Sequence, residues 1–220
     1  MFSYYGSKSK IIQYYPPPKY DTIIEVFAGS ARYALRYYEK ICWLNDSYKT
    51  ITDIWDWIIS ATEEQIKTIP ELKKGESVKN LNVDPKLKLL MGFIVNSGVQ
   101  YPRLTCSKWA EEKEEFRRHK ERLLSYCGKL KHWKITNLDY KELPDIEATW
   151  FIDPPYEAAK ERYKKDRINY QELAEWCKNR KGQVIVCENS ESSKWLPFTP
   201  LKEMFGQRRK TMEVMWHKEQ

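Results

Sequence analysis

The sequence has no apolar run approaching the length of a membrane span. Its first residues, Met1-Phe2-Ser3-Tyr4-Tyr5-Gly6, carry neither the charged nor the apolar region of a secretion signal. A cytoplasmic location, with no membrane partner, is the expectation. The five cysteines (Cys42, Cys106, Cys127, Cys177, Cys187) never form a Cys-x-x-Cys pair, and there are only three histidines. A disulfide framework and a zinc cluster are both disfavoured, so no metal site is expected and the thiols read as reduced. There is no internal repeat and no low-complexity tract. What is present is a 220-residue composition of 41% hydrophobic and 14% aromatic residues, which excludes disorder and allows a proper core. The net charge of +7 favours a polyanionic partner through long-range attraction to phosphates. Many basic proteins never touch nucleic acid, so charge alone does not decide.

The chain reads in three parts. Residues 22–27 are short, β-branched and apolar, as a buried strand should be. Ala28-Gly29-Ser30 breaks the strand, and a helix is expected over 31–40 with Ser30 as its N-cap. Ile41–Asn45 is a second apolar strand. Between about 62 and 131 strands vanish, and helices are expected near 87–96 and 108–130. The latter carries Glu111-Glu112-Lys113-Glu114-Glu115 and Arg117-Arg118-His119-Lys120, the pattern of a solvated helix face. Afterwards the alternation resumes, with strands over Ala148–Ile152 and 182–187, a helix over 170–180, and a closing hairpin in 208–217. Alternating strands and helices imply an α/β fold with a mostly parallel sheet. Residues 1–61 and 132–220 would form the main domain, and 62–131 a helical insertion.

The most specific motif is Asp153-Pro154-Pro155-Tyr156, directly after an apolar strand. Ligands of open α/β sheets bind beyond the carboxyl ends of strands, where this tetrapeptide falls. Two prolines stiffen the loop and fix the direction of the Pro154 carbonyl. Asp153 supplies a second acceptor, and Tyr156 a flat face for a base. Two convergent acceptors suit an exocyclic amino group, because they hold both hydrogens and stabilise positive charge developing on nitrogen. A rigid turn that only caps a strand has the same composition. Glu25-Val26-Phe27-Ala28-Gly29-Ser30-Ala31 forms the first strand-to-helix turn, where Gly29 permits close approach of a nucleoside-bearing ligand. With one glycine it is not the dinucleotide fingerprint. Asp46, after the second strand, is placed to bind ribose hydroxyls. Tyr5-Gly6-Ser7-Lys8 reads either as a loop whose lysine can reach a cofactor carboxylate or as a disordered N-terminus. Asn137-Leu138-Asp139-Tyr140 offers Asp139 either to an adenine amino group or as a helix N-cap.

In order, YYGSK, EVFAGSA, LNDSY, NLDY and FIDPPY resemble the DNA adenine methylase class of amino-methyltransferases, and most closely its small phage or prophage orphan members. The resemblance spans both α/β parts. It implies a Rossmann-like S-adenosylmethionine-dependent methyltransferase fold that transfers a methyl group to the 6-amino group of a flipped adenine. S-adenosyl-L-methionine would be the cofactor and double-stranded DNA the partner. Tyr5, Gly6, Ser7, Lys8, Phe27, Ala28, Gly29 and Ser30 would hold its methionine part, Asp46 its ribose, and Asp139 and Tyr140 its adenine. Asp153, Pro154, Pro155 and Tyr156 would grip the target base, with Asp153 also beside the cofactor. The insertion would recognise the target.

Two features depart from the family pattern. Val26 stands where proline is usual, and Ala31 with Arg32 where a second glycine is common. The insertion matches poorly, so no target sequence is implied. Gln100, Tyr101 and Arg103, in a polar and aromatic loop, are candidate DNA contacts. So are Lys164, Lys165 and Arg167, in the basic stretch following Tyr156. An adenine methyltransferase acting on RNA, and a silent DNA-binding protein that keeps the fold, remain open. Cytosine amino-methylation more often has serine at the Asp153 position. Carbon-5 methylation needs a cysteine nucleophile, typically after proline, and no Pro-Cys pair exists.

Overall fold

The structure, a computed structural model, describes residues 1–156, 168–191, 194–205 and 210–219. The chain divides into two compact units. A sheet unit comprises Lys8–Ser47 and Leu138–Gln220, and a helical unit comprises Met1–Ser7 and Tyr48–Asn137.

In the sheet unit, strands β1 (Thr22–Glu25), β2 (Ile41–Asn45), β4 (Ala148–Ile152), β5 (Gly182–Asn189), β6 (Thr199–Phe205) and β7 (Lys210–Lys218) lie in the order β2-β1-β4-β5-β7-β6. The run from β2 to β5 is parallel, whereas β7 is antiparallel to both β5 and β6. Helices α1 (Arg32–Arg36) and α7 (Tyr170–Lys178) complete an α/β, Rossmann-like arrangement. Every residue of β4 is buried, as a strand covered on both faces requires, so ATWFI is a continuous apolar run. Successive side chains alternate between faces. Ile24, Val26, Trp150, Ile152, Val184 and Val186 pack with Leu173, Ala174 and Cys177 of α7. Phe151 stacks on Tyr33 of α1, with centroids 4.4 Å apart and planes 10° off parallel, and meets the edge of Tyr15 at 5.3 Å. Gly182 opens β5 at φ 89°, and a Cβ there would lie 2.4 Å from the Ala148 carbonyl oxygen.

The helical unit contains α2 (Lys49–Ser60), α3 (Glu63–Lys67), α4 (Pro85–Ile94), α5 (Lys108–Glu112) and α6 (Glu115–Tyr126), followed by the short strand β3 (Lys134–Thr136). Helix α2 buries Ile51, Ile54, Trp55 and Ile58, one stripe at helical spacing. Asp84 caps α4 by accepting from the Lys86 and Leu87 N–H groups, with Pro85 in the first turn. Phe2 packs against Phe93 at 5.4 Å and Trp55 at 6.0 Å, so the chain start belongs to this core. No helix among the described residues is long and apolar enough to cross a membrane.

Two helices differ from expectation. Helix α1 is only five residues long and has no side-chain cap from Ser30. Its N-cap is Ala31 in the left-handed region, at φ 46°, one residue after Ser30 and two after Gly29 at φ 44°. The turn is tightened by the Ala31 N–H donating to the Ala28 carbonyl at 2.7 Å, which delays the helix. The helix expected over 108–130 is broken at Glu114, which takes φ 50°. The break lets α5 bury Ala110 and α6 bury Phe116, His119 and Leu123 as separate stripes. That burial offsets the roughly 1–2 kcal/mol a left-handed non-glycine residue costs. The hairpin expected within 208–217 is not formed there: Lys210–Lys218 is one strand, β7, and it pairs antiparallel with the preceding β6, Thr199–Phe205.

Candidate active site

Glu25 pairs in register with Phe151, so the turn after β1 and the tetrapeptide after β4 leave adjacent parallel strands at their carboxyl ends. Two sites form there. The first is a buried ionic cluster. The Lys8 ammonium lies 2.8 Å from Asp153 Oδ1 and 3.3 Å from Glu213 Oε1. It also donates to the Tyr156 hydroxyl and sits 4.4 Å from the centre of that ring. Glu213 Oε1 accepts from Tyr156 Oη at 2.5 Å and from Tyr15 Oη at 2.7 Å. The Pro155 carbonyl accepts from the Tyr170 hydroxyl, which fixes the proline loop against α7.

The electrostatics follow from this packing. Burial pushes the Asp153 carboxyl up to about 6, with Lys8 pulling it down and Glu213 pushing it further up. Burial works against the Lys8 ammonium, but Asp153 and Glu213 hold its pKa above the usual lysine range. Burial raises the Tyr15, Tyr156 and Cys187 groups well above their ordinary values, so all three are neutral near pH 7. Glu25, at the end of β1, accepts from the Ala34 N–H at 2.6 Å. Burial pushes its carboxyl up to about 8, with the Ala34 hydrogen bond opposing.

The second site is a cavity of about 450 Å³ lined by Val26, Phe27, Asn45, Ser47, Leu138, Asp139, Tyr140, Lys141, Ile168, Asn169 and Glu172. The Asn45 amide joins its walls. Its Nδ2 donates to the Val26 and Leu138 carbonyls at 3.1 and 3.0 Å, and its Oδ1 accepts from the Leu138 N–H at 3.1 Å. Phe27 and Tyr140 meet at a tilt of 44° with ring centroids 5.9 Å apart. Asp46 Oδ2 accepts from the Gly29 N–H at 3.0 Å, closing the turn that carries Ala28 and Ser30. Asp139 caps the single turn Tyr140–Glu142, accepting from the Lys141 N–H at 2.9 Å. This hydrophobic and polar lining, in a cavity of ligand-pocket size, fits a nucleoside. Phe27 and Tyr140 bring aromatic rings to the lining, and Ser47, Asp139 and Glu172 bring hydroxyl and carboxylate groups.

The structure therefore gathers Lys8, Asp153, Pro154, Pro155 and Tyr156 in one place, and puts Phe27, Asp139 and Tyr140 in the cavity lining, whereas Ala28, Gly29, Ser30 and Asp46 form the adjoining turn and do not line it. Tyr5, Gly6 and Ser7 belong to the helical unit, where the Tyr5 N–H donates to the Val99 carbonyl at 3.2 Å. Gln100, Tyr101 and Arg103 lie there too. Tyr101 meets Tyr48 edge-on at 6.0 Å, and Arg103 is exposed. Lys164, Lys165 and Arg167 lie outside the described residues. Sequence reasoning missed Asn45, Tyr15 and Glu213. For Glu213 there was one signal, an acid inside the short, otherwise apolar run Met212–Trp216. Tyr15, beside three prolines, had none.

No family model matches the sequence, and no curated protein does. Among solved structures the chain is similar to a putative methyltransferase, yhhF, from Escherichia coli. Identity is 9% and the TM-score 0.41, over 96% of this chain and 80% of that one. It is also similar to a conserved hypothetical protein from Streptococcus pyogenes, at 11% identity and a TM-score of 0.33, over 88% and 84%. Likenesses this distant bear on neither the activity nor the substrate of this chain.

Proposed function

We propose that the chain is an S-adenosylmethionine-dependent methyltransferase that modifies the 6-amino group of an adenine held out of the DNA stack. The observation that carries this reading is the Asp153-Pro154-Pro155-Tyr156 loop at the carboxyl end of β4, with a nucleoside-sized cavity at the end of neighbouring β1. The net charge of +7 favours a nucleic-acid substrate.

S-adenosylmethionine, when bound, supplies an activated methyl group on a sulfonium. Phe27 and Tyr140 are the faces for its adenine, and the Asn45–Ser47 edge of the cavity is the place for its ribose. Asp46 keeps the Phe27–Ser30 turn closed through the Gly29 N–H. Asp153 Oδ1 is engaged by Lys8, and among the described residues Oδ2 is left to accept one hydrogen of the target amine. The Pro154 carbonyl accepts the other, and the Tyr156 ring replaces part of the lost stacking. Holding both hydrogens favours the positive charge that develops on nitrogen during transfer. A neutral arylamine is too weak an acid for a carboxylate to deprotonate beforehand. Asp153 takes the proton only after the methyl group has moved. No metal and no covalent enzyme intermediate are needed.

The test is transfer of a tritiated methyl group to duplex DNA, single-stranded DNA and RNA, followed by nucleoside analysis. N6-methyladenine in DNA is the expected product. Label appearing only in RNA would replace the substrate. Cofactor binding without any transfer would favour a silent DNA-binding protein.

A further inference from the structure

Glu213 is a buried carboxylate, 7% exposed, on an antiparallel strand remote in sequence from the DPPY loop. Lys8 already has a partner in Asp153 at 2.8 Å, so a second carboxylate is not required to neutralise it. Two carboxylates around one ammonium leave a net negative charge in a dry setting, which is costly unless the extra group is fully hydrogen-bonded. Glu213 is hydrogen-bonded through one of its two oxygens. A single oxygen, Oε1, receives the hydroxyls of Tyr15 and Tyr156 and faces the Lys8 ammonium. We infer that Glu213 is a positioning residue for the proposed methyl transfer, one that fixes the Tyr156 ring beside Asp153 and anchors Lys8 between the two carboxylates. The inference rests on the reading of Asp153 to Tyr156 as the amine-gripping loop.

Tyr156 must present its ring face to an incoming base, and an aromatic side chain at the end of a loop has rotational freedom about χ1 and χ2. Its hydroxyl, held at 2.5 Å by Glu213, removes that freedom from the far end of the ring. Tyr15 holds Glu213 from the other side, and its own ring is wedged edge-on against Phe151 of β4. The chain of contacts therefore runs from the central strand through Tyr15 and Glu213 to Tyr156. The ring is referenced to the sheet that also carries Asp153.

Glu213 also acts on Asp153 through charge. The groups facing Asp153 are Lys8 from the N-terminal loop, Glu213 from β7, Cys187 from β5, Glu25 from β1, and the Tyr15 and Tyr156 phenols. Burial keeps Cys187 and the phenols neutral, and Glu25, pushed up to about 8, is mostly neutral at pH 7. Glu213 is thus the main source of negative charge on Asp153. Removing that charge lets Lys8 act unopposed, so Asp153 ionises at lower pH.

The experiment compares wild type, Glu213→Gln and Glu213→Ala in methyl transfer to duplex DNA from pH 5 to 9, with kcat and the KM for S-adenosylmethionine determined separately. Glutamine keeps an acceptor for the phenols but not the charge. Its acid limb should move down by about half a pH unit or more, with kcat on the plateau retained within several-fold. Alanine frees the ring, and kcat should fall about ten- to a hundredfold, with the cofactor KM unmoved because Glu213 does not line the cavity. An unshifted acid limb in Glu213→Gln overturns the inference, as does a plateau kcat for Glu213→Ala close to wild type. Should the alanine variant not fold, the isosteric glutamine variant decides alone. If wild type transfers no methyl group, the underlying reading fails and takes the inference with it, an outcome distinct from an active wild type with indifferent variants.

Discussion

Replacing Glu25 by glutamine isolates the energetic cost of placing a carboxyl at the end of β1. The group is 3% exposed, and burial moves its pKa from 4.5 up to about 8. A carboxyl raised in the folded state favours folding in its protonated form. Its contribution is fully present below pH 4.5 and is lost as the pH rises towards 8. Each pH unit across that window costs about 1.4 kcal/mol, so the loss is about 3 kcal/mol by pH 7 and about 5 kcal/mol when complete. Glutamine cannot ionise, and its carbonyl can still accept the Ala34 N–H that Glu25 accepts at 2.6 Å. Urea unfolding followed by tryptophan fluorescence at pH 5, 6, 7 and 8 should show wild type losing about 3.5 kcal/mol of stability relative to Glu25→Gln between the ends of the series. Asp153, pushed up to about 6, contributes its own slope at lower pH in both proteins and enters the difference only through its repulsion of an ionised Glu25. Parallel stability curves would refute the reasoning, since they would mean that Glu25 ionises in the folded protein as it does in water.

Three further outcomes are expected. Gly182→Ala should destabilise the protein by about 2–5 kcal/mol in the same unfolding assay, from the left-handed backbone at φ 89° and the 2.4 Å approach to the Ala148 carbonyl; a loss under 1 kcal/mol would contradict it. Asp46→Ala removes the acceptor for the Gly29 N–H and should weaken S-adenosylmethionine binding by roughly 1–3 kcal/mol in calorimetry; unchanged affinity in a folded variant would remove Asp46 from the site. Tyr156→Phe loses the anchor to Glu213 and should lower kcat by as much as Glu213→Ala does, and Tyr156→Ala, which loses the stacking face as well, should lower it further. Equal losses in the two Tyr156 variants would assign the hydroxyl the larger role.

What could be read in advance depended on how local the cause was. Strands β2 and β4 are uninterrupted apolar runs, and their bounds in the structure, Ile41–Asn45 and Ala148–Ile152, are those the pattern predicts. The early break of α1 was hidden because a left-handed alanine has no compositional signature, and Ser30 looked like a cap. Glu114 was hidden for a related reason. Glu111 to Glu115 are all good helix formers, and the break is legible only in the separate burial of Ala110 on one side and of Phe116, His119 and Leu123 on the other side of it in sequence. The site divides the same way. Asp153 to Tyr156 is a local motif, whereas its partner Glu213 comes from β7, 57 residues beyond Tyr156. Tyr15 is farther still on the other side. Asn45 was visible only as the last residue of a strand, and its two-sided hydrogen bonding needs the loop at Leu138.

The central claim is that Asp153 holds the amine which receives the methyl group. It is tested most directly by measuring N6-methyladenine formed in duplex DNA by wild type and by Asp153→Ala, at a cofactor concentration shown by calorimetry to saturate both. The account predicts methylation by wild type and loss of at least about a hundredfold in the variant, with cofactor affinity nearly intact. Methylation by Asp153→Ala at a rate close to wild type would contradict it.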